Sequence, residues 1–230
     1  SFNPSTMPHG LIREANGTFS LNPLNSSGTL GGYADRDVGD NTTNPEPSFV
    51  GRTISGMTFF ANRLGFLAED AIIMSQAGSQ FNFFAHSALT ISDADPIDLT
   101  AASTKPAFLK KALGTPKGLV IFAEHAQFLL ATQDVAFAPA TVKLTEISNY
   151  TYTSTVPPQS LGVSIMFPSE TETFSKVFEM ATDSVDNRPS VAEISRIIPE
   201  YIPKGLKWSA SSPNNSCLLY TSPSPRDSVV

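Results

Sequence analysis

Cysteine is almost absent from this 230-residue chain, with Cys217 standing alone. A single thiol excludes an intrachain disulfide framework and any multi-cysteine metal site. Charge is sparse as well. Charged residues make up 16% of the chain, below the usual quarter, and 21 acids against 15 bases leave a net charge of −6. Gripping phosphates needs a basic face, so tight nucleic-acid binding is not expected. Long hydrophobic runs are missing too. The longest, 118–132, is interrupted by Glu124, His125 and Gln127, short of the ~20 apolar residues of a membrane span. No stable membrane insertion is expected. There is no basic region followed by an apolar leader, and the first residue is not Met, so the true N-terminus is expected upstream.

What the chain has in quantity is phenylalanine, 16, and proline, 18. Abundant aromatics with few charges oppose disorder. Short apolar runs recur with turn residues between them: 57–60, 64–67, 71–74, 107–109, 119–122, 127–130, 142–147, 150–153, 163–167 and 176–180. This spacing predicts a mainly β protein: many short antiparallel strands in propeller-like or sandwich sheets, with long polar loops and few helices. Residues 191–198 suit a helix or a strand, and 80–84 one helical turn. The runs 119–122 and 127–130 read as neighbouring antiparallel strands, and Gly114–Gly118 as a hairpin turn. Asn16-Gly17 marks a two-residue hairpin between 9–14 and 18–21, with Phe19 and Leu21 on one face.

Three regions follow. Residues 1–50 are expected to form this hairpin and a long polar loop from Asn22 to Pro47, packed on a β-rich core at 51–216. Loops of that length are usually functional or docked on a neighbour, so this one is also expected to touch an adjacent subunit. The segment Cys217–Asp227 resembles an in-frame translation of a sequencing-library adapter. Residues 217–230 are therefore expected to be a non-native tail and are set aside from the fold reading, with the native sequence running to about Ser216.

Candidate chemistry is thin. Asp93, Asp95 and Asp98 supply hard oxygen donors for calcium, but Pro96 and the missing terminal Glu break the known loop spacing; an acidic turn fits better. His9, His86 and His125 are isolated, with none of the paired spacing of a metal site. Glu69 with Asp70, or Glu170 with Glu172, would be needed as acid and nucleophile for glycoside cleavage, yet acidic pairs are common on surfaces. Sequons at Asn16, Asn25, Asn41 and Asn149 read as chance matches in an Asn/Thr-rich chain. Phe59, Phe60, Phe81, Phe83 and Phe84 could stack bases, but with few cations nearby they read as core. No catalytic, cofactor-binding or metal residues are expected.

The block Asn62–Leu67, Ile73–Gly78, Phe81–Phe84 and Ser87–Asp98 resembles the tail tubular protein B, or tail nozzle, family of short-tailed bacteriophages. The likeness continues through Thr6–His9, Asn44–Gly51, Gly118–Phe122, Gln127–Leu130 and Pro213–Ser216. The resemblance implies an internal fragment of a propeller-containing virion subunit, made in the host cytoplasm. It implies a hexameric ring of identical subunits that meets a gatekeeper protein, docks tail fibres and passes double-stranded DNA without reading its sequence. An acidic lumen would let DNA slide, so some of Asp93, Asp95, Asp98, Glu170 and Glu172 are expected to face a channel. The competing reading is a tail-associated protein that binds or degrades polysaccharide.

Overall fold

The computed structural model describes residues 2–25, 30–182, 189–215 and 217–221. The sequon at Asn25-Ser26-Ser27 and residues 222–230 fall partly or wholly outside them. Strand β1 (Gly10–Arg13) pairs with β2 (Phe19–Asn22), Leu11 opposite Leu21 and Arg13 opposite Phe19. The loop is longer than the two residues expected. The Gly17 amide donates to the Glu14 carbonyl at 2.9 Å and the Glu14 amide to that of Thr18 at 2.8 Å. Gly17 takes φ +84°, open to a residue without a Cβ. Asn16 Oδ1 accepts from the Thr18 amide and hydroxyl, and these bonds set the longer loop.

Three four-stranded antiparallel sheets follow, each a meander in chain order. The first holds β3 (Ile54–Phe60), β4 (Arg63–Ala68), β5 (Ala71–Met74) and β6 (Ile97–Thr100). The second holds β7 (Leu109–Thr115), β8 (Gly118–Ala123), β9 (Gln127–Thr132) and β10 (Val142–Ser148). The third holds β11 (Gln159–Ser160), β12 (Ser164–Glu170), β13 (Ser175–Thr182) and β14 (Pro189–Glu193). A two-stranded ribbon, β15 (Trp208–Ser212) with β16 (Cys217–Thr221), comes last. The mainly β expectation holds.

The sheets stack in series because their central strands are apolar on both faces. Alternation sends Leu67, Ile72, Met74 and Ile97 of the first sheet against Leu119, Ile121, Phe128 and Leu130 of the second. The opposite side of β8 sends Val120 and Phe122 against Ile165, Phe167, Phe178 and Met180 of the third. Val177 and Met166, on the far face of the third sheet, meet Val156, Ile202, Leu206, Leu218 and Tyr220. Each such side chain, fully buried, contributes about 1.5–3 kcal/mol. A serial stack is not a two-layer sandwich, and among the described residues no ring of sheets closes.

Short turns fix the register. Ala61 and Asn62 both take positive φ, +48° and +58°, between paired Phe60 and Arg63, the backbone that matches strand twist in a two-residue hairpin. The turn at Pro116-Lys117 joins β7 to β8, with Thr115 opposite Gly118, as expected.

Several local expectations need correction. Residues 150–153 are not a strand. Fully buried Gln127 donates from Nε2 to the Tyr150 carbonyl at 2.7 Å and accepts from the Ser148 hydroxyl at 2.6 Å. The Tyr152 amide donates to the Glu124 carbonyl and the Thr153 amide to that of Pro168, so Tyr150, Tyr152 and Thr153 each find separate backbone partners without a ladder. Residues 80–84 form no helical turn; they lie in the irregular connection from β5 to β6. Residues 191–198 divide, the first part in β14 and the next a 3₁₀ turn at Ile194–Ile197. Met57 and Phe59 of edge strand β3 are exposed. Cys217–Thr221 does join the fold: it pairs with β15, and alternation turns Leu218 and Tyr220 inward. A short, mostly apolar segment of any origin can fill a strand position.

Candidate functional site

The outer face of the first sheet is covered by the N-terminal region. Met7 and Phe49 join Phe66, Ile73 and Phe83 there, with Phe2 and Tyr33 against them. Phe66 stacks on Phe83 with ring centres 5.0 Å apart, and Phe49 meets Phe83 edge-on at 5.1 Å. The polar loop therefore docks in part on its own chain. The Ala34 amide donates to the Phe81 carbonyl at 2.9 Å, and the Tyr33 hydroxyl to that of Pro8 at 3.1 Å. Of the five phenylalanines considered for base stacking, Phe83 and Phe84 are buried, Phe60 and Phe81 half-buried, and Phe59 exposed.

Within the β5–β6 connection lies a polar knot that sequence reasoning did not assign a role. Arg63, 1% exposed, donates from Nη1 to the carbonyls of Ser75 at 2.8 Å, Asp95 at 2.6 Å and Ala94 at 3.2 Å, and from Nη2 to that of Asp93 at 2.6 Å. Its Nε is buried without a partner among the described residues. Burial pulls its pKa below the ordinary arginine value, an effect partly offset by Asp95. Asp95, 3% exposed, accepts from the amides of Ser92 at 2.7 Å and His86 at 3.0 Å. Buried Asn44 donates to the carbonyls of Val38 and Ala85 and accepts from the Ala85 amide. These three side chains tie residues 85–95 to β4 and to the 38–44 loop. The available signal was a lone cation opening the apolar strand 63–68.

The acidic candidates scatter. Asp95 is buried on backbone amides and cannot face a channel. Asp98 accepts from the Ser48 amide at 2.8 Å, and Glu170 from the Gly205 amide at 2.9 Å. Asp93 and Glu172 are exposed. No group of three or more His, Cys, Asp or Glu among the described residues could hold a metal ion. Glu69 and Asp70 converge on Arg52, which lies 3.8 Å from Glu69 and 2.7 Å from Asp70, and among the described residues Glu172 joins no such ion pair. His9, His86 and His125 are exposed and lie on separate segments. An open groove of about 920 Å³ runs between the N-terminal segment and β3, lined by Phe2, Met7, Phe49, Val50, Ile54 and Met57. Among the described residues Glu46 is the one acid along it, so they give it no paired carboxylates of the kind a glycosidase uses. No helix among the described residues is long and apolar enough to cross a membrane.

The surface thus offers docking features and no assembled catalytic group among the described residues. Comparison with known proteins supplies the context. The sequence profile of the bacteriophage nozzle proteins matches residues 1–230. The chain belongs to the nozzle protein family. It is also 34% identical over 202 residues to tail tubular protein gp12 of Escherichia phage T7, an alignment covering 87% of this chain and 24% of that relative. The chain therefore spans about a quarter of the curated relative it matches. Family membership makes this nozzle segment part of a structural protein of a phage tail, and so of a virion component. It also gives the β5–β6 connection added interest, because Arg63 and Asp95 both lie within the blocks that resemble the family, Asn62–Leu67 and Ser87–Asp98.

Proposed function

We propose that this segment forms part of the wall of a short phage tail, in a nozzle that self-assembles into a hexameric ring, conducts the genome, and docks a gatekeeper protein and tail fibres. The stacked meanders act as consecutive blades of a β-propeller that the rest of the parent protein completes. The single observation that carries the reading is the serial face-to-face stacking of four-stranded meanders, with β3 and β7 side by side, in a chain of this family. Stacking covers the facing strands of the three sheets and leaves loops and the β1–β2 hairpin to meet other proteins. The net charge of −6 supports free passage of DNA, since a basic lumen would hold phosphates; of the acids considered for a lumen, Asp93, Asp98 and Glu172 are exposed. The protein works without catalysis or a cofactor.

The test is a phage carrying an amber mutation in the parent gene. Particles made in a non-suppressing host should carry heads but lose DNA, and complementation should restore infection. Particles that retain and eject their genome without the protein would remove the reading. Sugar release from host polysaccharide by the purified full-length protein would replace it with the enzymatic alternative.

A further inference from the structure

Two exposed apolar patches stand outside every role assigned above. One is the tip of the loop tied by the polar knot, where Leu89 is 95% and Ile91 77% exposed. The other is one face of the β1–β2 hairpin, where Leu11, Phe19 and Leu21 project into solvent beside Arg13. The tip is built to hold its shape. Arg63 and Asp95 are buried charges, which cost stability unless well paired, and both brace the base of this loop. A braced tip loses little conformational freedom on docking.

The two patches are complementary in charge as well as in polarity. Asp93 stands exposed beside the tip, and Arg13 stands exposed across from Phe19. Among the described residues neither carboxylate nor guanidinium has a partner. Two tips brought together would oppose two Asp93 carboxylates, and two hairpin faces would oppose two Arg13 cations. Like pairings are therefore disfavoured and the unlike one favoured.

We propose that the 86–94 tip of one copy of this chain docks on the β1–β2 hairpin face of the next copy. Leu89 and Ile91 pack on Leu11, Phe19 and Leu21, and Asp93 meets Arg13. This deepens the self-assembly reading above and rests on it. The two surfaces differ, so the contact is head-to-tail and propagates around a ring or along a filament instead of closing a two-fold pair.

The experiment uses full-length nozzle protein without other cysteines. A mixture of singly substituted Leu89→Cys and Leu21→Cys proteins should form a disulfide-linked dimer on mild oxidation, the double variant a ladder, and Leu89→Cys alone nothing. Separately, Arg13→Glu and Asp93→Arg should each raise the concentration at half-assembly about tenfold, and the combined swap should return it to within about twofold of the parent. Circular dichroism checks that each variant folds; should a charge variant misfold, the cysteine pair, which leaves both charges intact, decides. Parent protein that assembles while the cysteine pair gives no link, or while the combined swap stays as weak as the single ones, overturns this contact and leaves self-assembly standing. Parent protein that remains monomeric beside its tail partners overturns both.

Discussion

Replacing Arg63 with methionine keeps an unbranched chain of similar length and removes the guanidinium fork. Three of the lost bonds, to Ser75, Asp93 and Asp95, are 2.8 Å or shorter. Charge-assisted bonds contribute about 1.5–3 kcal/mol each, but removing the cation also relieves several kcal/mol of desolvation. What remains is the cost of breaking one side of a buried charged cluster, about 3–5 kcal/mol. In a chain of this size that lowers Tm by roughly 6–20 °C. Arg63→Lys should recover only part, since an ammonium cannot reach all these carbonyls as a planar fork does. The assay is urea and thermal unfolding of the purified chain, run as a double-mutant cycle with Asp95→Asn. The two substitutions should couple by about 0.5–3 kcal/mol. An Arg63→Met protein within 1 kcal/mol of the parent, or additive energies in the cycle, would show that the knot does not hold the loop.

Ile72→Ala, between the first two sheets, should cost about 2–5 kcal/mol, whereas Leu89→Ala at the loop tip should stay within about 0.5 kcal/mol; similar losses in denaturant melts would contradict the assignment of core and surface. Ala61→Gly should stabilise by about 0.5–1 kcal/mol, because relief of the positive-φ strain outweighs the added freedom of the unfolded chain; a lower urea midpoint would refute it. Burial pushes the Tyr33 phenol up to about 12 and raises Tyr152 as well. Since the folded-state values lie above the unfolded one, these groups contribute full stability below pH 10 and lose it as pH climbs towards 12. Ultraviolet absorbance of tyrosinate should show a late-titrating class that appears with unfolding, and a single transition near pH 10 would count against their burial.

The strands were readable where packing imposes a simple pattern. Runs such as 119–122 and 71–74 are apolar without a break because both their faces are covered, and short apolar runs between turn residues have few other solutions. Residues 150–153 misled for the opposite reason. Tyr150 and Thr151 have strand-like side chains, but the distant Gln127 and Glu124 claim the backbone groups that a ladder would need. Asp95 could not be separated from Asp93 and Asp98 by composition, since only the folded loop turns it inward onto amides. Arg63 showed only as a lone cation at the head of an apolar strand, because its acceptors are main-chain carbonyls, which every sequence possesses. The hairpin face was legible as alternation at Phe19 and Leu21, but alternation names a shared side and leaves open whether anything covers it.

Among the described residues, sheets packed on their predecessors and successors make the arrangement nearly one-dimensional. Most pairings link neighbours along the chain, so ordering can spread like a zip from any sheet that forms first. Damage should travel equally poorly: a loosened joint at Ile72 would leave the joint at Phe122 and Phe167 intact. Such a wall can crack at one seam and still stand at the next.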